Sequence, residues 1–239
     1  SIKEKKSPSK FELISFTAKD PIAAMKTAKR FSMPKNKTTT AKTVLLSANP
    51  KARRSFVFDP HYKVEALALP DINLFATGMD WVSSKDLAVC TYTGEVWIVE
   101  NATGPIQKMK YRRFARGMNE PMGLLVKDGH IYLGNKSEVT RLQDTDDDGT
   151  ADLFERVSSD WDYTGSYNSF SYGPVVDGDG NLVVANAGHA GHWDARHMGW
   201  ALKISPESKK ATPFASGLRE PNGIIAFGQD KDLFVTDNQ

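Results

Sequence analysis

The chain has 239 residues, of which 40% are hydrophobic and 25% charged, an ordinary globular balance with room for a sizeable core. It contains no run of eighteen apolar residues, which excludes a transmembrane helix, and the lone Cys90 excludes an internal disulfide and Cys-pair metal or haem motifs. The net charge of +2 conceals an uneven distribution: residues 1–63 hold 15 Lys and Arg against 4 Asp and Glu, and the remainder holds 16 against 25.

Residues 1–61 read as a basic, partly disordered N-terminal arm that begins at Ser1 and not at Met, as a trimmed terminus would. Asp20-Pro21 predicts the start of a short helix running to Ala28, and Val44–Leu46 and Phe56–Phe58 predict short strands. The arm lacks the aromatic interleaving and recognition helix of a nucleic-acid reader. It reads as a soluble tether, and no nucleic-acid partner is expected.

From Tyr62 to Gln239 the texture is all-β, with short runs of Val, Ile, Tyr and Leu between turn signals. These runs repeat. Phe75-Ala-Thr-Gly78, Phe114-Ala-Arg-Gly117 and Phe214-Ala-Ser-Gly217 open similar units, and Tyr172-Gly-Pro174 opens another. The anchor glycines at 78, 117, 173 and 217 are spaced 39, 56 and 44 residues apart. Four short strands per unit of that length predict β-propeller blades, each burying its faces against its neighbours. About four blades are expected in 62–239, the last lacking its outer strands, as in a piece of a longer propeller.

Asp144-Thr-Asp146-Asp147-Asp148-Gly149-Thr150-Ala151-Asp152-Leu-Phe-Glu155 places carboxylates at positions 1, 3, 5, 9 and 12 of a calcium loop, with Gly at 6 for the sharp turn. Thr150 at position 7 supplies a backbone carbonyl, so the predicted ligands are Asp144, Asp146, Asp148, Thr150, Asp152 and Glu155. The loop follows Val139–Leu142, taken as the closing strand of a blade, and predicts a calcium staple between consecutive blades. Such sites fill outside the cytoplasm, which points to an extracytoplasmic home in the periplasm or cell envelope. Asp177-Gly-Asp179-Gly180-Asn181 has too few ligands for calcium and reads as a hairpin turn. His189, His192 and His197, close to Asp194, are weak candidates for catalysis or metal binding on a Gly-rich loop.

The ordered set Gly-Met-Asn-Glu-Pro-Met-Gly (117–123), Asp-x-Asp-x-Asp-Gly-x-x-Asp (144–152), Gly-Pro-Val-Val-Asp-Gly-Asp-Gly-Asn-Leu (173–182), Gly-Leu-Arg-Glu-Pro-Asn-Gly (217–223) and Val-Thr-Asp-Asn-Gln (235–239) resembles the soluble glucose and sorbosone dehydrogenases. These are six-bladed propellers associated with pyrroloquinoline quinone and calcium. The likeness is nearest to large extracytoplasmic bacterial members, which often carry a downstream c-type cytochrome domain. By that resemblance Arg219 meets a cofactor carboxylate, as a bidentate guanidinium suits. In those enzymes the next residue is usually Asn, whereas this chain has Glu220. The general-base histidine that the resemblance places in Ser166–Gly173 is absent; Tyr167 or Asn168 stands there. The resemblance implies oxidation of a sugar or polyol, with electrons passing to a quinone and a cytochrome. The alternative is a non-catalytic propeller binding carbohydrate or a protein partner in a cell-envelope assembly.

Overall fold

The computed structural model describes residues 45–47, 55–59, 62–65, 74–188 and 195–238. The chain divides into two units, residues 1–41 and 42–239, and all described residues belong to the second. The helix expected after Asp20 lies outside the described residues, as do His189, His192 and Asp194.

Strands β1 (Leu45–Ser47), β2 (Ser55–Asp59) and β3 (Tyr62–Glu65) come first, β2 and β3 forming an antiparallel ribbon. The first blade holds β4 (Ala76–Trp81), β5 (Leu87–Thr91), β6 (Glu95–Glu100) and β7 (Lys110–Arg116), and β1 is added outside β7 with Leu46 opposite Tyr111. Leu45–Ser47, within the stretch read as the arm, is thus the outermost strand of this sheet. The second blade is β8 (Leu124–Lys127), β9 (His130–Gly134), β10 (Val139–Gln143) and β11 (Leu153–Ser158). The third is β12 (Ser171–Val176), β13 (Leu182–Asn186), β14 (Trp200–Ile204) and β15 (Ala211–Ser216), and a two-stranded sheet of β16 (Pro221–Phe227) and β17 (Asp232–Asp237) follows. Each sheet is an antiparallel meander whose first strand packs against the first strand of the next. This is the expected all-β propeller, with about four blades.

The middle strands are apolar throughout because both their faces are covered. In β5, Ala88 and Cys90 join Val96, Ile98, Leu124, Leu133 and Leu142 in the core between the first two blades. Leu87 and Val89 face the other way, with Trp97, Val99 and Tyr111. Val139, Leu182, Val184, Leu202 and Ile204 fill the space between the second and third blades. Each such fully buried side chain contributes roughly 1.5–3 kcal/mol.

Near the axis the blades meet backbone to backbone. A Cβ built on Gly78 would lie 2.7 Å from the Cα of Gly123; one on Gly123 would overlap the Gly173 carbonyl; one on Gly173 would lie 3.2 Å from Ile224 Cγ2. Pairing places Gly78 opposite Cys90, Gly123 opposite Gly134 and Gly223 opposite Thr236. The repeat therefore runs through Gly78, Gly123, Gly173 and Gly223, spaced 45, 50 and 50 residues apart. The sequence anchors mixed two positions. Gly78 and Gly173 are axial, whereas Gly117 and Gly217 end outer strands with φ of 92° and 97° and lead into the next blade.

The meander fixes two faces. Loops 92–94, 117–123, 135–138, 159–170 and 217–220 share the face where the chain enters each blade. Turns 82–86, 101–109, 128–129, 144–152, 177–181 and 205–210 share the opposite one. The acidic loop and Arg219 are thereby on opposite faces. Replacing Gly123 with Ala is expected to lower the melting temperature sharply, by a cost of about 1–3 kcal/mol or more, since backbone cannot yield as a side chain can. Gly165→Ala, with nothing within 4 Å of the added methyl, serves as the control and is expected to be near neutral.

Candidate functional site

The acidic loop is the β10–β11 hairpin connection. It lies within the second blade and not after it, because Val139–Gln143 is the third strand and Leu153–Ser158 closes the sheet. The loop still reaches the preceding blade: the Gly149 carbonyl accepts from the Arg112 guanidinium of β7, and the Ala151 amide donates to the Phe114 carbonyl at 2.8 Å. One carboxylate oxygen from each of Asp144, Asp146 and Asp148 lies within 4.8 Å of the others. Backbone amides fix their directions, with Gly149 N–H donating to Asp144 Oδ2 at 2.8 Å and Thr150 N–H to Asp148 Oδ1 at 2.8 Å. Partial desolvation and then the neighbouring Asp148 charge raise the Asp146 carboxyl above its ordinary range.

The remaining predicted carboxylates stand apart from that trio. Asp152 accepts from the Thr145 hydroxyl at 2.6 Å and the Thr145 amide at 3.0 Å, and the hydroxyl bond is the main cause of its lowered pKa. Glu155 belongs to β11 and is clamped by Lys209, from the third blade's turn, and by Arg141. Lys209 first, then Arg141, holds the Glu155 carboxyl below the usual range despite partial desolvation. Glu155 is thus a latch between the second and third blades.

On the blade-entry face a buried cation organises the centre. Lys136 Nζ lies 2.7 Å from Glu120 Oε2 and 5.2 Å from the centre of the Phe170 ring. Its carbonyl accepts from Trp161 Nε1 at 3.3 Å and Ser171 Oγ at 3.2 Å. Glu120, at a left-handed φ of 45°, also accepts from the Tyr92 hydroxyl at 3.3 Å. Phe170 meets Tyr92 and Tyr172 edge-on, each with centroids 6.2 Å apart. Burial first and the Glu220 charge second push the Tyr172 phenol up to about 12. Sequence reasoning missed Lys136, Tyr92 and Phe170; the recurrence of Glu-Pro-x-Gly at 120 and 220 was the available signal.

Asp237 anchors the turn that carries Arg219. Its carboxylate accepts the Arg219 amide at 3.1 Å and the Glu220 amide at 2.8 Å, and the Arg219 guanidinium donates to the Asn238 carbonyl at 2.9 Å. Arg219 lines a cavity of about 820 Å³ with Arg196, His197, Met198, Trp200 and Leu218. His197, with φ of 62°, sets Nδ1 3.1 Å from the Asp160 carbonyl. Tyr167 is 75% exposed and Asn168 lies in the turn before Phe170, so no imidazole occupies 166–173. Asp177 caps its turn through the Asp179 and Asn181 amides, at 3.0 and 2.9 Å, and pairs with Lys203, as a hairpin does.

No protein-family model and no curated protein sequence matches the chain. Solved structures do. A glucose dehydrogenase aligns with a TM-score of 0.55 at 13% identity, over 70% of this chain and 58% of its own. The quinone-bound form of an aldose sugar dehydrogenase from Streptomyces coelicolor, its cofactor being pyrroloquinoline quinone, gives 0.51 at 15% identity, over 69% of this chain and 57% of its own. A nidogen–laminin complex gives 0.53 at 15% identity, over 82% and 70%. The chain has the β-propeller fold of the soluble sugar dehydrogenases and spans little more than half the length of the two dehydrogenases it matches.

The Glu155 latch has a testable pH signature. Its lowered pKa means that the latch stabilises the fold above the ordinary carboxylate range, near about 4.3, and that this stability is lost as pH falls through the lowered folded value. Glu155→Gln is expected to melt below the wild type at neutral pH, and the gap should close in acid. Melting curves across pH check it.

Proposed function

We propose that this chain is a sugar-dehydrogenase-like propeller of the extracytoplasmic space that binds a sugar or polyol at its blade-entry face. The observation that supports it is the aromatic row Tyr92–Phe170–Tyr172 beside the Glu120–Lys136 pair. Aromatic faces pack against the C–H surface of a sugar while fixed charged groups bond its hydroxyls. Tyr163 and Tyr167, 51% and 75% exposed on the 159–170 loop, add to the apolar surface at this face. Calorimetric titration with glucose and other monosaccharides tests the reading. Tyr92→Ala is expected to weaken binding about tenfold, and a panel with no binder contradicts it.

Calcium at Asp144, Asp146 and Asp148 is the structural half of the proposal. Three converging, amide-oriented carboxylates suit a hard divalent cation. Because the loop also bonds the preceding blade, bound calcium would fix that junction. Calcium is expected to raise the melting temperature, by linkage worth about 2.7 kcal/mol at a hundredfold excess over Kd. Chelation should reverse the effect, Asp144→Asn should abolish it, and sugar affinity should hold within about twofold because the faces are separate. A melting temperature indifferent to calcium contradicts this half.

Arg219 favours a second reading, oxidation of the sugar by a bound quinone with electrons passing to a c-type cytochrome. A guanidinium suits a quinone carboxylate. The other residues fit pyrroloquinoline quinone poorly: Glu220 sets a negative charge, like that of the quinone's carboxylates, next to Arg219, and the 166–173 stretch holds no base that ionises near neutrality. No catalytic step is therefore assigned through it. Dye-coupled glucose oxidation after addition of the quinone and calcium would establish this reading if Arg219→Ala abolished it.

A further inference from the structure

We infer that Glu220 selects the ligand of the blade-entry face by charge: its carboxylate accepts hydroxyl or ammonium groups and repels polycarboxylates such as pyrroloquinoline quinone. This rests on that face being the ligand face, as proposed above.

The inference comes from comparing two copies of one turn. Gly117–Gly123 and Gly217–Gly223 carry the same Gly-x-x-Glu-Pro-x-Gly pattern and lead into the first strands of the second blade and of the two-stranded sheet. In the first copy the acid is neutralised: Lys136 Nζ lies 2.7 Å from Glu120, and the Tyr92 hydroxyl covers it at 3.3 Å. In the second copy the backbone is held just as firmly, with the Glu220 amide on Asp237 Oδ1 at 2.8 Å and its carbonyl accepting the Asn238 amide at 3.1 Å. No Lys or Arg among the described residues pairs with its carboxylate.

The surrounding charges do not compensate. Asp237 is a second acid, spent on the two amides, and the Arg219 guanidinium turns onto the Asn238 carbonyl. Glu220 directly precedes β16, which packs against β12, the strand that carries Tyr172 at the end of the aromatic row. A half-buried acid with no Lys or Arg partner among the described residues, on the same face as an aromatic surface, favours a neutral polyol or a protonated amine and opposes an anion.

Three probes that share one ring and differ in charge test this: glucosamine, glucose and glucuronate, titrated calorimetrically into the full-length protein with calcium present. The wild type is expected to bind them in that order, with a spread of about tenfold or more between the first and last. Glu220→Gln, which keeps the shape and removes the charge, should narrow the spread to about twofold while melting like the wild type. Pyrroloquinoline quinone, followed by absorbance, should bind the Gln variant about tenfold more tightly than the wild type. Equal sugar affinities in the wild type, or a spread unchanged in the variant, overturn the inference. If none of the three sugars binds, the sugar reading falls and the quinone titration alone decides. Wild type and variant binding the quinone equally, or neither binding it, then overturns charge selection by Glu220.

Discussion

The approach of backbone to backbone at the axial glycines is the constraint on which the rest of the molecule depends. Gly78 and Gly123 each leave a space that the backbone of the next blade fills, and Gly173 one that the Val183 carbonyl and the Ile224 side chain fill. Close approach there brings the middle strands into face-to-face contact and buries Ala88, Cys90, Leu133, Val184 and Leu202 between sheets. It also sets the entry loops 117–123, 159–170 and 217–220 in succession around one face. Tyr92, from the first blade, consequently reaches Glu120 at the mouth of the second.

Polar contacts between blades then divide by face. On the turn side the Arg112 guanidinium bonds the Gly149 carbonyl of the acidic loop, and Lys209 pairs with Glu155. On the entry side they surround an aromatic row and leave charged groups near solvent. A propeller can separate stability from recognition in this way because each meander strand joins one face to the other. The acidic loop and the entry-face groups are thereby held by the same strands without touching.

The fold was legible in the sequence because strand-length apolar runs between Gly turns recur, and only stacked sheets can cover such runs on both sides. Its register was less legible. Phe-Ala-x-Gly occurs both in an inner strand, at Gly78, and at the end of outer strands, at Gly117 and Gly217, and spacing alone cannot separate a buried glycine from a left-handed one. The acidic loop announced its carboxylates, and Asp144, Asp146 and Asp148 do converge. The sequence could not show that Glu155 is drawn away by Lys209, fifty-four residues further on. Nor could it show that Lys136 is buried, since a lysine in a short turn ordinarily stays in water; only Glu120, Phe170 and the sheet beneath make that burial tolerable.

We propose that the two faces act separately, one holding a cation and the other a ligand. Hydrogen exchange of the protein with calcium alone, glucose alone and both would separate the two. The account predicts that calcium slows exchange in 144–152 and in the adjoining β7, and that glucose slows it in 117–123, 159–170 and 217–220, each leaving the other's segments unchanged. Protection of the acidic loop by glucose, or of the entry turns by calcium, would contradict it.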